Sequence, residues 1–194
     1  MSRVAATGHP IQPLLGERYS PYVFAADRDV SEADTLCLLE AARWTMSSYN
    51  EQPWRYVVGS RSRSPETWQR ILDVLVPGNQ RWAEQAPLLM LGAISTRFSS
   101  SGKPNKAAAH DLGAASACLT LEATARGLSV HQMIGIEPEE AHRRFGLDEH
   151  MEALTGLAIG YAGNPAASTA DFAERDQQPR ERKPIDEIIW PDPG

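Results

Sequence analysis

This chain predicts an α+β or α/β fold, on three observations. Helix-period and strand-period patterns alternate along most of its length, with helices between most of the strands. Two apolar runs, 87–95 and 154–162, read as strands buried on both faces. Between them, 106–126 is a long helical pattern rich in Ala and other small residues, which suits a helix packed closely in the centre or against another subunit.

The elements follow in order. Residues 1–16 read as a loose arm, because Gly8, Pro10, Pro13 and Gly16 break any pattern. Glu17, Arg18, Tyr19, Ser20, Pro21 and Tyr22 then lead into an extended Val23-Phe24. Ser31 is placed as an N-cap with Asp34 three residues on, opening a helix to about Trp44 with Leu36, Leu39 and Arg43 near one face. After a polar stretch, 47–52, Trp54, Tyr56 and Val58 alternate with Arg55 and Val57 as in a strand. Ser64-Pro65 reads as an N-cap and first helical position. Trp68, Ile71, Leu72 and Leu75 then form an apolar stripe ended by Pro77-Gly78, and Asn79 is placed to cap a short helix to Ala86. A Ser/Gly/Pro loop fills 99–105, and Gly127 stops the long helix at its C′ position. Residues 128–136 are extended, and a helix runs from Pro138 to Gly146. Beyond Gly163, 164–184 is polar without an apolar period, and the apolar 185–190 reads as a strand or docking arm. The whole, 1–194, is read as one domain carrying an N-terminal arm (about 1–16) and a C-terminal arm (about 164–194).

Composition narrows the function. A chain of 194 residues with 42% apolar and 23% charged residues fits a soluble globular protein. The net charge of −6 argues against a nucleic-acid partner, since phosphate neutralisation needs a basic face. No apolar run reaches membrane-spanning length, and the first residues carry no basic-then-apolar leader, so a cytoplasmic protein with no membrane partner is expected. Cys37 and Cys118 both fall in apolar helical patterns and read as small buried residues rather than a disulfide or metal pair.

Recognisable catalytic motifs are few. His9, His110, His131, His142 and His150 have no metal-ligand spacing. His110-Asp111 are adjacent on a helix and point apart, so they read as surface or capping groups. No nucleophile elbow, Walker loop or dinucleotide fingerprint is present. What stands out is 47–52, where Ser47, Ser48, Asn50 and Gln52 concentrate short hydrogen-bonding side chains before a strand. This suits either a polar loop or a cradle for a flat polar ligand. Arg18 near one end of the chain and Arg180, Arg182 and Lys183 near the other are ordinary surface cations singly. Together they match a phosphate monoester, whose oxygens suit arginine forks.

The block Ser-Ser-Tyr-Asn-Glu-Gln-Pro-Trp-Arg-Tyr at 47–56 resembles the signature of the FMN-dependent nitroreductase family. Arg18-Tyr19-Ser20 resembles that family's N-terminal Arg-x-Ser element. The segment 127–138, with its Gly-Leu entry and a Gly before Glu137-Pro138, resembles its second flavin-contacting segment. Residues 180–184 resemble its C-terminal phosphate-binding element. All four occur in the family's order, between Arg18 and about Trp190.

The resemblance implies an α+β nitroreductase-like fold, with a central, mostly antiparallel sheet flanked by helices. It implies an intertwined homodimer with an FMN site at each subunit interface. Arg18, Tyr19 and Ser20, with Arg180 and Arg182, would serve the flavin phosphate and ring edge. Ser47, Ser48 and Asn50 would reach the FMN held mainly by the other subunit. Gln132, Met133, Ile134 and Gly135 would line the ring, and Asn79 is a further contact. The implied activity is reduction of a small organic acceptor, such as a nitroaromatic or quinone, by NADH or NADPH in ping-pong fashion, with no catalytic side chain. Dehalogenation, flavin fragmentation and flavin binding without turnover are the alternatives on the same scaffold. The chain departs from the family pattern at Tyr22, where many members carry a cation that supports the reduced flavin, with Arg55 or another cation as a replacement. It departs again at Met46, where Pro is frequent.

Overall fold

The computed structural model describes residues 4–192. Four strands, β1 (Trp54–Ser60), β2 (Leu88–Ser95), β3 (Ser129–Met133) and β4 (Met151–Gly160), form a sheet in the order β1-β2-β4-β3. Every neighbouring pair is antiparallel, with Trp54 opposite Ile94, Leu88 opposite Ile159 and Ser129 opposite Gly160. The helices are α1 (Pro13–Glu17), α2 (Glu32–Arg43), α3 (Pro65–Asp73), α4 (Pro77–Ala83), α5 (Ala108–Ala125), α6 (Pro138–Phe145) and α7 (Ala170–Gln177).

Side-chain alternation in β2 divides the interior in two. Leu88, Met90 and Ile94 join a core with Leu38 of α2 and Leu112, Ala115 and Leu119 of α5. Leu89, Leu91 and Ala93 join the opposite core with Trp68 and Ile71 of α3 and Trp82 of α4. Both faces of the sheet are therefore covered, which accounts for the unbroken apolar run of β2. In α5 the buried positions Ala108, Asp111, Leu112, Ala115, Ser116, Leu119, Thr120 and Ala123 recur at helical spacing. The small residues let this helix lie close to α2 and the sheet.

The stop and start signals act largely as their chemistry dictates. Ser31 Oγ accepts the Asp34 N–H at 2.9 Å, and Gly127 and Gly146 take left-handed φ of +72° and +59° past α5 and α6. Some expectations differ. Pro77 opens α4 instead of closing α3, because its fixed φ suits a first helical turn, and Asn79 sits inside that helix. The inward positions of α2 are Thr35, Leu38 and Ala42, while Leu36 faces outward. Pro13–Glu17 is helical within the stretch read as pattern-free, and a helix, α7, arises in the polar 164–184 region. Ile185–Glu187 is a single 3₁₀ turn and not a strand. Cys37 and Cys118 are both free thiols and only half-buried.

Gly59 of β1 sets the distance to α3. A Cβ there would lie 2.5 Å from the Cα of Trp68 and 2.6 Å from its nitrogen, both backbone atoms that cannot swing away. Gly59→Ala should lower stability by about 1–3 kcal/mol through overpacking. An unchanged urea midpoint would show that α3 shifts freely on the strand.

Candidate functional site

The two ends of the chain meet at a cleft of about 640 Å³. Arg18, Arg180, Arg182 and Lys183 line it, together with the apolar side chains of Ile11, Leu15, Ile185 and Ile188. Arg180 ties the ends together by its fork: Nη1 donates to Gly16 O at 2.7 Å and Nη2 to Arg18 O at 2.6 Å. Arg18 Nη1 lies 3.3 Å from Ser20 Oγ, to which it donates. Burial, and then repulsion from Arg180 and Arg182, hold the Arg18 guanidinium below its ordinary pKa. Arg180 is lowered in the same direction by burial and by Arg182. Cations crowded in this way are a site prepared for an anion. A smaller cleft of about 260 Å³, beside Asp27, Asp29 and Arg61, contains none of the residues singled out from the sequence.

Helix α7 makes this meeting possible. Phe172 and Asp176 are one helical turn apart and both buried, so the helix docks by that face. The Asp176 carboxylate accepts the N–H of Tyr22 at 2.8 Å and of Val23 at 3.0 Å. Phe172 stacks on the Tyr22 ring at 6.0 Å, and Trp82 and His131 meet that ring edge-on at 5.4 and 4.8 Å. His131 donates from Nδ1 to Pro21 O at 2.8 Å, and burial pushes its pKa below the usual value. The segment that carries Arg18, Tyr19 and Ser20 is thus held from β3, α4 and α7.

The 47–52 stretch is a strained loop. Tyr49, Asn50 and Gln52 have φ of +54°, +54° and +51°, and none of them is glycine. Each such residue costs on the order of 1–3 kcal/mol unless its surroundings impose it. Several hydrogen bonds do so. Ser47 Oγ accepts the Gln52 N–H at 3.0 Å, Gln52 Nε2 donates to Asn50 O at 3.0 Å, and Arg55 donates to Gln52 O at 3.0 Å. From outside the loop, Asp111 Oδ2 accepts the Ser48 N–H at 3.1 Å. Glu51 accepts the Ser99 N–H at 2.7 Å, and Tyr49 and Phe98 form an edge-to-face pair at 5.9 Å. The Tyr49 side chain is 93% exposed.

At the end of β3, Gln132 turns toward α5. Its Nε2 donates to Ser116 O at 3.0 Å and to Thr120 Oγ1 at 2.8 Å. Met133 faces the core, whereas Ile134 is 86% exposed. Gly135 is packed against α4: its carbonyl accepts from Val76 N–H at 3.1 Å and from Asn79 Nδ2 at 3.0 Å. A Cβ at Gly135 would stand 2.4 Å from that Asn79 nitrogen, so glycine is required for the contact.

Within this chain, Arg18, Arg180 and Arg182 come together, and Tyr19 and Ser20 adjoin them. Ser47, Ser48, Asn50, Gln132, Met133, Ile134 and Gly135 do not line the same cleft. Arg55 is committed to the backbone of Gln52 and Trp54 and does not replace a cation at Tyr22. Sequence reasoning missed Asp176 and Asp111. Asp176 lies in a stretch whose one signal was Phe172, one turn before it. Asp111 serves a loop 63 residues away. Among the described residues, no group of His, Cys, Asp and Glu is placed to hold a metal ion.

Comparison with known proteins adds to this geometry. Residues 15–161 match the model of the nitroreductase family. A Mycolicibacterium smegmatis protein described as an uncharacterized 15.4 kDa protein in the ask 5′ region is 32% identical over 142 residues, covering 70% of this chain and 94% of that protein. The major NAD(P)H-flavin oxidoreductase of Aliivibrio fischeri is 42% identical over 50 residues, which cover 26% of this chain and 23% of that protein. A solved structure titled as an oxidoreductase containing FMN superposes with a TM-score of 0.89 at 28% identity, covering 98% of this chain and 96% of the other.

His131 gives the docked chain end a pH signature. The unfolded imidazole takes a proton as pH falls through about 6.5, while the buried one resists it. The native state then binds fewer protons than the unfolded one. Its stability is complete above that pH and declines as pH drops below it. His131→Phe, which keeps an aromatic ring beside Trp82, should fall less in stability between pH 7.5 and 5.5 than the wild type in urea unfolding. Parallel pH profiles would remove His131 as the source.

Proposed function

This chain belongs to the nitroreductase family, and on that premise we propose that it is an FMN-dependent oxidoreductase. It takes reducing equivalents from NADH or NADPH and passes them to a small organic acceptor, such as a nitroaromatic or quinone, in two half-reactions at one pocket. The convergence of Arg18, Arg180 and Arg182 on one cleft carries this reading. A phosphate monoester brings nearly two negative charges, which offset the burial and the neighbouring cations that together depress the Arg18 pKa. The apolar side chains beside the cations suit the rest of an amphipathic cofactor. The names of the Aliivibrio relative and of the FMN-containing oxidoreductase structure point the same way.

When bound, FMN supplies the ring that takes and gives the hydride. The chain's own residues bind and orient it. Arg18, Ser20 and Arg182 serve the phosphate, Arg180 braces the backbone at Gly16 and Arg18 around it, and Tyr19 sits between these groups. Gln132, Ile134 and Gly135 offer the ring edge their backbone groups and, at Ile134, an apolar side chain. Met133 contributes through its backbone, since its side chain is buried. Ser47, Ser48 and Asn50 serve the FMN of a second copy, which accounts for their position away from the cleft. A homodimer also accounts for the exposed Trp44, Met46, Tyr49, Ile188, Ile189 and Trp190. No helix among the described residues is long and apolar enough to cross a membrane. A cytoplasmic location, where nicotinamide nucleotides are supplied, fits this reading.

The purified protein should take up FMN, and anaerobic NADH or NADPH should bleach the bound flavin. A protein that binds FMN but is never bleached is a flavin carrier and not a reductase. Arg182→Ala should weaken FMN retention about 10-fold, the value of one charge-assisted contact. The Arg180→Ala, Arg182→Ala double variant should lose more, because Arg180 also holds the chain end. Unchanged affinity in both would put the phosphate elsewhere. Gel filtration should give a dimer, and an FMN-loaded monomer would overturn the shared site.

A further inference from the structure

We infer that Asp111 is a positioning residue for the flavin site, holding the 47–52 loop in the shape that presents Ser47, Ser48 and Asn50. The inference rests on the flavin reading above. Asp111 is only 3% exposed and lies in the first turn of α5, where unpaired helix N–H groups favour a carboxylate. Its Oδ2 reaches 63 residues back to the Ser48 N–H, while His110 Nδ1 meets Oδ1 from the solvent side at 3.3 Å. Ser48 is the residue immediately before the left-handed pair Tyr49 and Asn50. Fixing it decides which way the turn runs. The bonds inside the loop close the turn but do not tie it to the body of the protein.

The anchor is also placed to set a spacing. The helix that holds Ser48 through Asp111 holds Gln132 through Ser116 and Thr120. Those points stand about 8 and 14 Å along the axis from Asp111, at 1.5 Å per residue. One rigid element therefore fixes the loop relative to the end of β3. Both segments then move as a unit, and neither adjusts separately to a ligand.

The test compares Asp111→Ala and Asp111→Asn with the wild type and with Glu139→Ala, an exposed position on α6, as a surface control. FMN affinity, the shape of the bound flavin's visible bands and amide exchange at 48–52 in the FMN-free protein are measured on each. D111A should weaken FMN about 10-fold, blur the flavin bands and speed exchange in the loop. D111N, whose amide oxygen still accepts the Ser48 N–H, should stay within about threefold of wild type. If D111A fails to fold, Asp111→Ser, too short to reach Ser48, replaces it with the same expected losses. A folded variant lacking the acceptor that binds FMN with wild-type affinity and bands overturns the role of Asp111. So does a D111N protein as weak as D111A. A wild type that takes up no FMN overturns the flavin reading itself, and this inference with it.

Discussion

The interaction on which the rest depends is a set of four hydrogen bonds between the N-terminal and C-terminal segments. Asp176 accepts the consecutive N–H groups of Tyr22 and Val23, and the Arg180 fork donates to the carbonyls of Gly16 and Arg18. Through these four bonds the C-terminal segment reads the backbone of the N-terminal one. Backbone contacts are indifferent to the side chains of the segment they grip. These four bonds therefore do not depend on the side chains of Tyr19 and Ser20. The grip has a cost, because a carboxylate buried at 7% exposure needs its bonds satisfied. The two amide donors of Tyr22 and Val23 supply two of those bonds.

The sheet separates this region from the loop at 47–52. His131 and Gln132 are neighbours on β3 and point to opposite faces, as a pleated strand requires. His131 joins Trp82 and Tyr22 on the side of α4 and α7, and Gln132 bonds to α5 on the other. A two-residue span of one strand thus touches both halves of the apparatus. The helix α5 serves the second half by its small residues, since Ala115 and Ser116 bring its backbone near enough for the Ser116 carbonyl to be reached. A large side chain at Ser116 would hold the helix off and break the bond to Gln132, and would also displace the Tyr56 hydroxyl, 2.9 Å from Ser116 Oγ.

How much of this was legible in the sequence depended on whether the signal was local. Caps and breaks such as Ser31, Pro65, Gly127 and Gly146 act within a few residues, and these elements were found near their true bounds. The all-buried run of β2 announced itself because both faces are covered. Helix α7 was missed, since eight residues with Phe172 as their single large apolar side chain show no period. Its stability comes from docking Phe172 and Asp176, which a pattern search cannot see. The cation cluster was readable as a pairing of chain ends because charge type survives without coordinates. The strain at Tyr49, Asn50 and Gln52 was not, because of the three only Asn commonly takes left-handed backbone.

The setting of Tyr22 follows from the same grip. A flexible cation at this position would need room for its chain and a solvated head. Here the position is boxed by Trp82, His131 and Phe172, with the Phe172 ring within 3° of parallel to that of Tyr22. Three aromatic walls desolvate a charge without neutralising it, so a planar phenol is the better occupant. Positive charge is still delivered to the neighbourhood. The guanidinium of Arg175, one residue before the carboxylate that clamps Tyr22, lies 5.2 Å over the Tyr22 ring. Docking α7 therefore places a cation of the C-terminal helix over the Tyr22 ring. The tyrosine and the helix belong together: without α7 the ring would lose its stacking partner and its cation at once, and without an aromatic ring at position 22 Phe172 would lose its stacked ring and keep the Arg81 guanidinium.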